Sequence, residues 1–179
     1  MANNAPASTL EIRRLAAVDD IQLEGLCDVL IDCVDGGASV SFMQPMTREK
    51  ALAFWHRVAD GAARGERALL VARDEQGILG TVQVVLDQPE NQPHRADVAK
   101  MLVHRRARRR GVGEALMKAA ERTARDAGKT LLVLDTADAT AARLYERVGW
   151  LPAGTIPGYA LKPGGGPCDT TYYYRALAD

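Results

Sequence analysis

Five arginines, Arg105, Arg106, Arg108, Arg109 and Arg110, stand within six positions directly before Gly111, Val112 and Gly113. A strand-forming run precedes them and an amphipathic run succeeds them. In such a place glycines permit a tight turn free of Cβ obstruction, and the next helix aims its unpaired N–H groups and positive dipole end back at the loop. That chemistry suits a pyrophosphate held by main-chain amides. The spacing R-x-x-G-x-G is neither the P-loop, which ends in G-K-[ST], nor the dinucleotide fingerprint G-x-G-x-x-G. A solvated basic loop and a nucleic-acid patch are the competing readings of the run. The second calls for interleaved aromatics and a basic domain, whereas here 23 basic side chains balance 23 acidic ones.

Other chemistries find little support. Cys27, Cys33 and Cys168 lack metal-ligand spacing, and His56, His94 and His104 are scattered. With no H-x-x-x-H pair and no G-x-S-x-G elbow, neither a metal site nor a nucleophilic triad is expected. Apolar residues make up 47% and charged residues 26%, values of an ordinary globular protein that exclude wholesale disorder or collagen-like repetition. No apolar run approaches the roughly 18 residues a membrane helix needs, and Met1 to Ser8 lacks a leader pattern. A cytoplasmic location without a membrane partner is the resulting expectation.

The elements that must position the loop can be read from periodicity. A length of 179 residues suits one domain, expected over 10–179 behind a flexible tail, 1–9. Leu10 to Leu15 reads as a strand. Asp19 or Asp20 caps a helix lined by Leu23, Leu26, Cys27, Leu30, Ile31 and Val34, which Gly36 and Gly37 break. The six-residue spacing of Cys27 and Cys33 puts them on different faces. Thr47 caps a second helix that ends at Gly65. Ala68 to Arg73 and Ile78 to Leu86 form a hairpin, and Ala96 to Val103 a further strand. A helix from Val112 to Ala127 links it to Thr130–Leu134 in a βαβ crossover. A fourth helix, Ala139 to Val148, precedes a final strand pair, Leu151 to Leu161 and Thr170 to Leu177, joined by a glycine turn. The order predicts an α/β protein with one mixed sheet flanked by helices.

The segment Met101-Leu102-Val103-His104-Arg105-Arg106-Ala107-Arg108-Arg109-Arg110-Gly111-Val112-Gly113 resembles the acetyl-coenzyme A signature of the GCN5-related N-acetyltransferases (GNAT). Ala141 to Trp150 resembles that family's later helix motif, and the element order is similar from Leu10 to Leu177. Within the family, Asp35 to Met43, Arg95 to Val98, Leu134 to Thr136 and Pro157 to Tyr159 look like the tabtoxin-resistance type. The resemblance implies the acyl-CoA N-acyltransferase fold and acetyl-CoA as cosubstrate, without metal. It implies that the amides of Arg109, Arg110, Gly111, Val112 and Gly113 bind the pyrophosphate, with Arg108 beside it and the arginine side chains adding charge. Met101 and Val103 would bond the pantetheine arm, and an N–H near Met101 or Leu102 would face the thioester carbonyl. Two positions depart from the family pattern. Arg105 stands where proline is frequent, and Asp138 where an asparagine often contacts the cofactor, leaving a carboxylate that cannot donate as an amide does.

Acetyl transfer to an amine requires a neutral nitrogen, a stabilised oxyanion and a proton for the departing thiolate. Asp135 ends a buried strand, where ligands of open α/β sheets gather, and is the first candidate to grip the amine. Asp97 on the neighbouring strand is the second candidate base. Asp35, Phe42 and Tyr159 are candidates for acceptor contacts, against the plainer alternatives of turn former and packing residue. The resemblance makes Tyr145 the proton donor to the thiolate, in competition with simple core packing. The expected partner is a small-molecule amine, including amino-acid-like antibiotics or toxins, and not nucleic acid. A protein amino group as acceptor, a noncatalytic acyl-CoA-binding regulatory module and a homodimer stay open.

Overall fold

The computed structural model describes residues 9–177, so the tail expected over 1–9 lies, apart from Thr9, outside the described residues. A first strand β1 (Glu11–Leu15) precedes two helices, α1 (Asp20–Asp35) and α2 (Arg48–Ala63). Asp19 starts α1 with a capping box: its carboxylate accepts the Gln22 N–H at 2.8 Å and its own N–H donates to Gln22 Oε1 at 3.0 Å. Thr47 caps α2 by accepting the Lys50 N–H. The chain continues through β2 (Arg67–Asp74), β3 (Gly77–Val85), β4 (Arg95–Val103), α3 (Val112–Asp126), β5 (Leu131–Thr136), α4 (Ala139–Arg147), β6 (Leu151–Leu161) and β7 (Pro167–Ala176). Among the described residues no helix is long and apolar enough to cross a membrane.

The strands form one seven-stranded sheet in the order β1-β2-β3-β4-β5-β7-β6. Every neighbouring pair is antiparallel except β4 and β5, which the α3 crossover makes parallel. Alternation along the strands divides the core in two. Leu70, Val82, Val84, Ala96, Val98, Leu132 and Leu134 face α3, whereas Leu69 and Val71 face α1 and α2. Cys27 and Cys33 are both buried in this second core: although they lie on different faces of α1, that helix has the sheet on one side and α2 on another.

Two irregularities interrupt the regular ladder. Thr81 of β3 faces Leu102 of β4, whereas Gln83 faces Ala99, so β4 carries one extra residue in this interval. Lys100 lies there with a φ of 51°, the left-handed conformation of a bulge. The second concerns β4 and β5, which pair only at Arg95–Leu131, Ala96–Leu132 and Asp97–Val133. Beyond those residues both strands continue unpaired with each other and a cleft opens in the sheet.

The sheet needs a close approach at Gly80, where a Cβ would stand 2.7 Å from the Leu102 carbonyl oxygen and 3.2 Å from Leu116. A backbone obstacle cannot swing away. Gly80→Ala is therefore expected to lower unfolding stability by about 1–3 kcal/mol, read from urea titration.

Candidate active site

Arg105–Ala107 form a 3-10 turn whose first amides are capped by His104, with Nδ1 accepting the Arg106 N–H at 3.1 Å. Arg109 (φ 61°) and Gly111 (φ 77°) then turn the chain through left-handed conformations into α3. Gly111 is the N-cap and supplies no side-chain acceptor. The first N–H groups of α3 thus have neither an intrahelical partner nor a capping side chain.

Most of the arginine side chains serve the protein itself. Arg105 donates from its main chain and from Nε to Asp32 of α1, both at 2.8 Å. Arg106 donates to Gln76 Oε1 and to the Ile78 carbonyl. Arg108 reaches the Val103 carbonyl, and Arg110 lies 3.8 Å from the Asp74 carboxylate. The cluster is less a field of free charge than a set of guy lines that fix the loop. Burial works to raise the Asp32 pKa, but the hydrogen bonds from Arg105 and the charges of His104 and Arg105 outweigh it and hold the carboxyl below its ordinary value.

The other wall of the cleft is lined from β4, β5, β6 and β7. Asp97 is not free: Arg95 pairs with one of its oxygens and Gln88 donates to the other at 3.2 Å. Arg95 is itself braced by Gln88 and Gln92. Among the described residues Asp135 has no such side-chain partner. Burial raises its pKa, the positive charge of Lys100 lowers it and Asp97 raises it again, leaving the net value above an ordinary carboxyl. Tyr172 stands opposite Asp135 in the sheet and shares a 2.9 Å hydroxyl–hydroxyl hydrogen bond with Tyr159.

Tyr145 enters from α4 and is 5% exposed, with its ring 6.0 Å from Tyr173 and 6.3 Å from Trp150. Burial, then the negative charges of Asp138 and Asp135, push its pKa up, so it remains a phenol. Asp138 spends its carboxylate as the cap of α4, accepting the N–H groups of Thr140 and Ala141 at 2.6 and 3.2 Å. Gly113 lets α3, α4 and β4 meet: a Cβ there would lie 2.8 Å from Leu144 and 3.8 Å from Met101 Sδ.

Asp35 ends α1 and lines a shallow depression with Gln44, Pro45 and Pro163. Phe42 packs edge-on against Phe54 with centroids 5.2 Å apart, and Tyr159 is half-exposed on β6. The structure thus brings Asp97, Asp135 and Tyr159 toward one side of the cleft, whereas Asp35 lies at the junction of α1 with the β6–β7 turn. Sequence reasoning passed over Asp32, which anchors the loop, and Lys100, whose signal was a single charge inside the otherwise apolar run Val98 to Val103.

A family model described as the acetyltransferase (GNAT) family matches residues 35–150. The chain belongs to the GNAT acetyltransferase family. Membership implies acetyl transfer from acetyl-CoA, and the amides and positive dipole end at the start of α3 suit its pyrophosphate. Similar solved structures share the fold at low identity. The ribosomal-protein-alanine N-acetyltransferase from Brucella melitensis is 21% identical, with TM-score 0.77 over 93% of this chain and 99% of that one. A protein from Salmonella typhimurium solved with its cofactor acetyl-CoA is 19% identical, with TM-score 0.76 over 96% of both chains. A structure provisionally described as a phosphinothricin N-acetyltransferase is 21% identical, with TM-score 0.76 over 96% of this chain and all of that one.

Because Asp32 ties the loop to α1, Asp32→Asn should raise the Kd for acetyl-CoA by about 10-fold or more, the cost of losing charge-assisted hydrogen bonds. Calorimetry with acetyl-CoA reads this directly. The carboxyl has a depressed pKa, so the tether is present above the ordinary carboxylate value and is lost only as pH falls toward the lower folded one. Wild-type affinity should accordingly show no loss from this group between about pH 5 and 8.

Proposed function

We propose that the chain transfers an acetyl group directly from acetyl-CoA to the primary amine of a small amino-acid-like molecule, with Asp135 receiving the amine proton and Tyr145 supplying one to the thiolate. The observation that supports this reading is Asp135, a carboxyl with no side-chain hydrogen bond among the described residues, just past the last β4–β5 rung. Leu132 and Leu134 face the α3 core, so Asp135 projects to the opposite face of β5, while Tyr145 is packed in the α3 core. The charges of Asp138 and then Asp135 both add to the rise of the Tyr145 pKa that burial causes.

An amine of ordinary pKa near 10.4 is almost wholly protonated at neutral pH, so attack needs a group that takes its proton. Asp135, with its raised pKa and no side-chain hydrogen bond, suits that work better than Asp97, which is neutralised by Arg95. As the N–C bond forms and the C–S bond breaks, the developing oxyanion requires a donor. The bulge takes Lys100 and Met101 out of the regular ladder before Leu102 rejoins it opposite Thr81, which supports the expected N–H near Met101 in this role. Met101 and Val103 offer strand edges to the pantetheine arm. The amides of Arg109 to Gly113 hold the pyrophosphate.

On the acceptor side, the loop that resembles the tabtoxin-resistance type touches the cleft where Ser41 accepts a hydrogen bond from Lys100, which supports an amino-acid-like antibiotic or toxin as acceptor. Three free, buried cysteines suit a reducing compartment such as the cytoplasm.

A thiol-release assay with acetyl-CoA against small amines and peptides tests the reading. Turnover on peptides alone would assign a protein acceptor, and cofactor binding without turnover on any amine would assign a regulatory module. Tyr145→Phe should lower kcat by about 10²- to 10⁴-fold with acetyl-CoA affinity retained. Asp135→Asn should lower kcat by a comparable factor and remove the acid limb of the kcat/KM profile, a limb expected above the ordinary carboxylate range. A carboxyl whose pKa is raised by folding adds stability below its unfolded value and withdraws it as pH rises through the folded one. At neutral pH Asp135→Asn should therefore melt no lower than wild type, separating lost chemistry from lost fold.

A further inference from the structure

We propose that Lys100 is an anion-recognising residue of the acceptor groove, so that the acceptor is an amine that also carries an acidic group such as a carboxylate. This deepens the acetyl-transfer reading and rests on it. Lys100 occupies the left-handed position of the β4 bulge, a conformation that strains a non-glycine residue. A lysine rather than glycine is held where the cleft opens. Its ammonium donates to Ser41 Oγ at 3.1 Å and lies 6.0 Å from the centre of the Phe54 ring. Neither contact is anionic, and among the described residues no carboxylate comes within ion-pair distance of Nζ. Three N–H donors therefore face one neutral oxygen acceptor.

Arg67 of β2, whose charge reaches Lys100, has a surplus of donors as well. Arg67 donates to Gln83 Oε1 at 3.0 Å, while Arg67 Nε and Gln83 Nε2 are buried without an acceptor among the described residues. The guanidinium is built into place: α2 has Gly61 beside it, where a Cβ would lie 2.8 Å from Arg67 Nε. Burial lowers the Lys100 pKa, Asp135 raises it and the charge of Arg67 lowers it further, as expected of a cation standing in partly desolvated ground beside another. Asp97 is already paired with Arg95 and does not relieve it. A molecule with an ammonium toward Asp135 and an acid toward Lys100 meets both walls with opposite charge, and each of its ends finds a group now lacking a close partner. A plain alkylamine would meet only one.

The test uses the full chain and pairs of free amino acids and their carboxamides, varied in the distance between amine and acid. Acetyl-CoA binding, thiol release and binding in the presence of coenzyme A are measured on wild type, Lys100→Gln and Lys100→Arg. Wild type is expected to prefer the free acids, and Lys100→Gln to reduce the acid-to-carboxamide ratio of kcat/KM by about 30- to 100-fold, the loss of a charged hydrogen bond. Lys100→Arg, which keeps the charge, should restore most of the preference. Equal use of acids and carboxamides by wild type overturns the proposal. So does an equal loss on both in Lys100→Gln, the result if Lys100 served only the ionisation of Asp135 or the fold. Acetyl-CoA binding with transfer confined to polyamines or peptides sinks this inference and leaves acetyl transfer standing. Failure to bind acetyl-CoA removes the transfer reading and this one with it.

Discussion

A parallel ladder ordinarily continues while both strands remain extended, because each unpaired N–H and C=O must otherwise find water or another partner. Strands β4 and β5 break off their pairing at Asp97 and Val133 although β4 runs on to Val103 and β5 to Thr136. The extra residue at Lys100 bends β4 away, and β7 holds β5 along its full length from Leu131 to Thr136. One strand is bent by its own backbone and the other is held straight by its neighbour, so the cleft is a consequence of pairing rather than of a missing side chain. Main-chain groups of β4 that a neighbouring strand would have consumed are left facing the opening, where an extended ligand arm can pair with them as a strand would.

The same bend delivers the chain to the start of α3. A helix end offers several amides in one direction, but only if the preceding loop is held still. Here rigidity comes from side chains that face inward: Arg105 on Asp32, Arg106 on the Ile78 carbonyl, and Arg110 beside Asp74. Arginine suits this because its planar fork makes several bonds at once and does not lose its charge. The cluster thus acts first through geometry and only second through potential. This also answers how a chain with balanced charge can recruit a polyanion: the field is local, set by a helix end and the few cations around it.

Much of this was legible in the sequence because it depends on local rules. The caps at Asp19 and Thr47, the glycine stops, the hairpin at Gly77 and the crossover through α3 each arise from residues near one another in the chain. The glycine turn that starts α3 was legible for the same reason. What escaped was the use of long-range partners. Asp32 read as one more polar residue on an amphipathic helix, and only the fold reveals that it lies against Arg105. Lys100 broke an apolar run, yet a bulge cannot be told from an edge or an error in register until the partner strand is placed. The sequence ranked Asp135 ahead of Asp97 from its place at a strand end, but the contacts that separate them, with Arg95 and Gln88 reaching one and not the other, are visible only in the fold.

That division between the two carboxylates has a chemical consequence. A base for an ammonium must hold its negative charge loosely enough to take a proton, and a carboxylate already bound by a guanidinium and an amide has its charge spent. Asp97, tied to Arg95, is better suited to fixing β4 at the last rung before the cleft than to moving a proton. Asp135, two residues past the last β4–β5 rung, keeps an exposed face to solvent and feels the positive charge of Lys100. Burial there penalises the ionised carboxylate of Asp135 and the protonated amine of Lys100 alike, while each eases the penalty on the other. Two such groups that are near but not bonded form a polarised gap rather than a closed salt bridge. An amine toward Asp135 and an acid toward Lys100 would relieve both penalties at once, which is why a single ligand bearing both charges fits the gap better than either group alone.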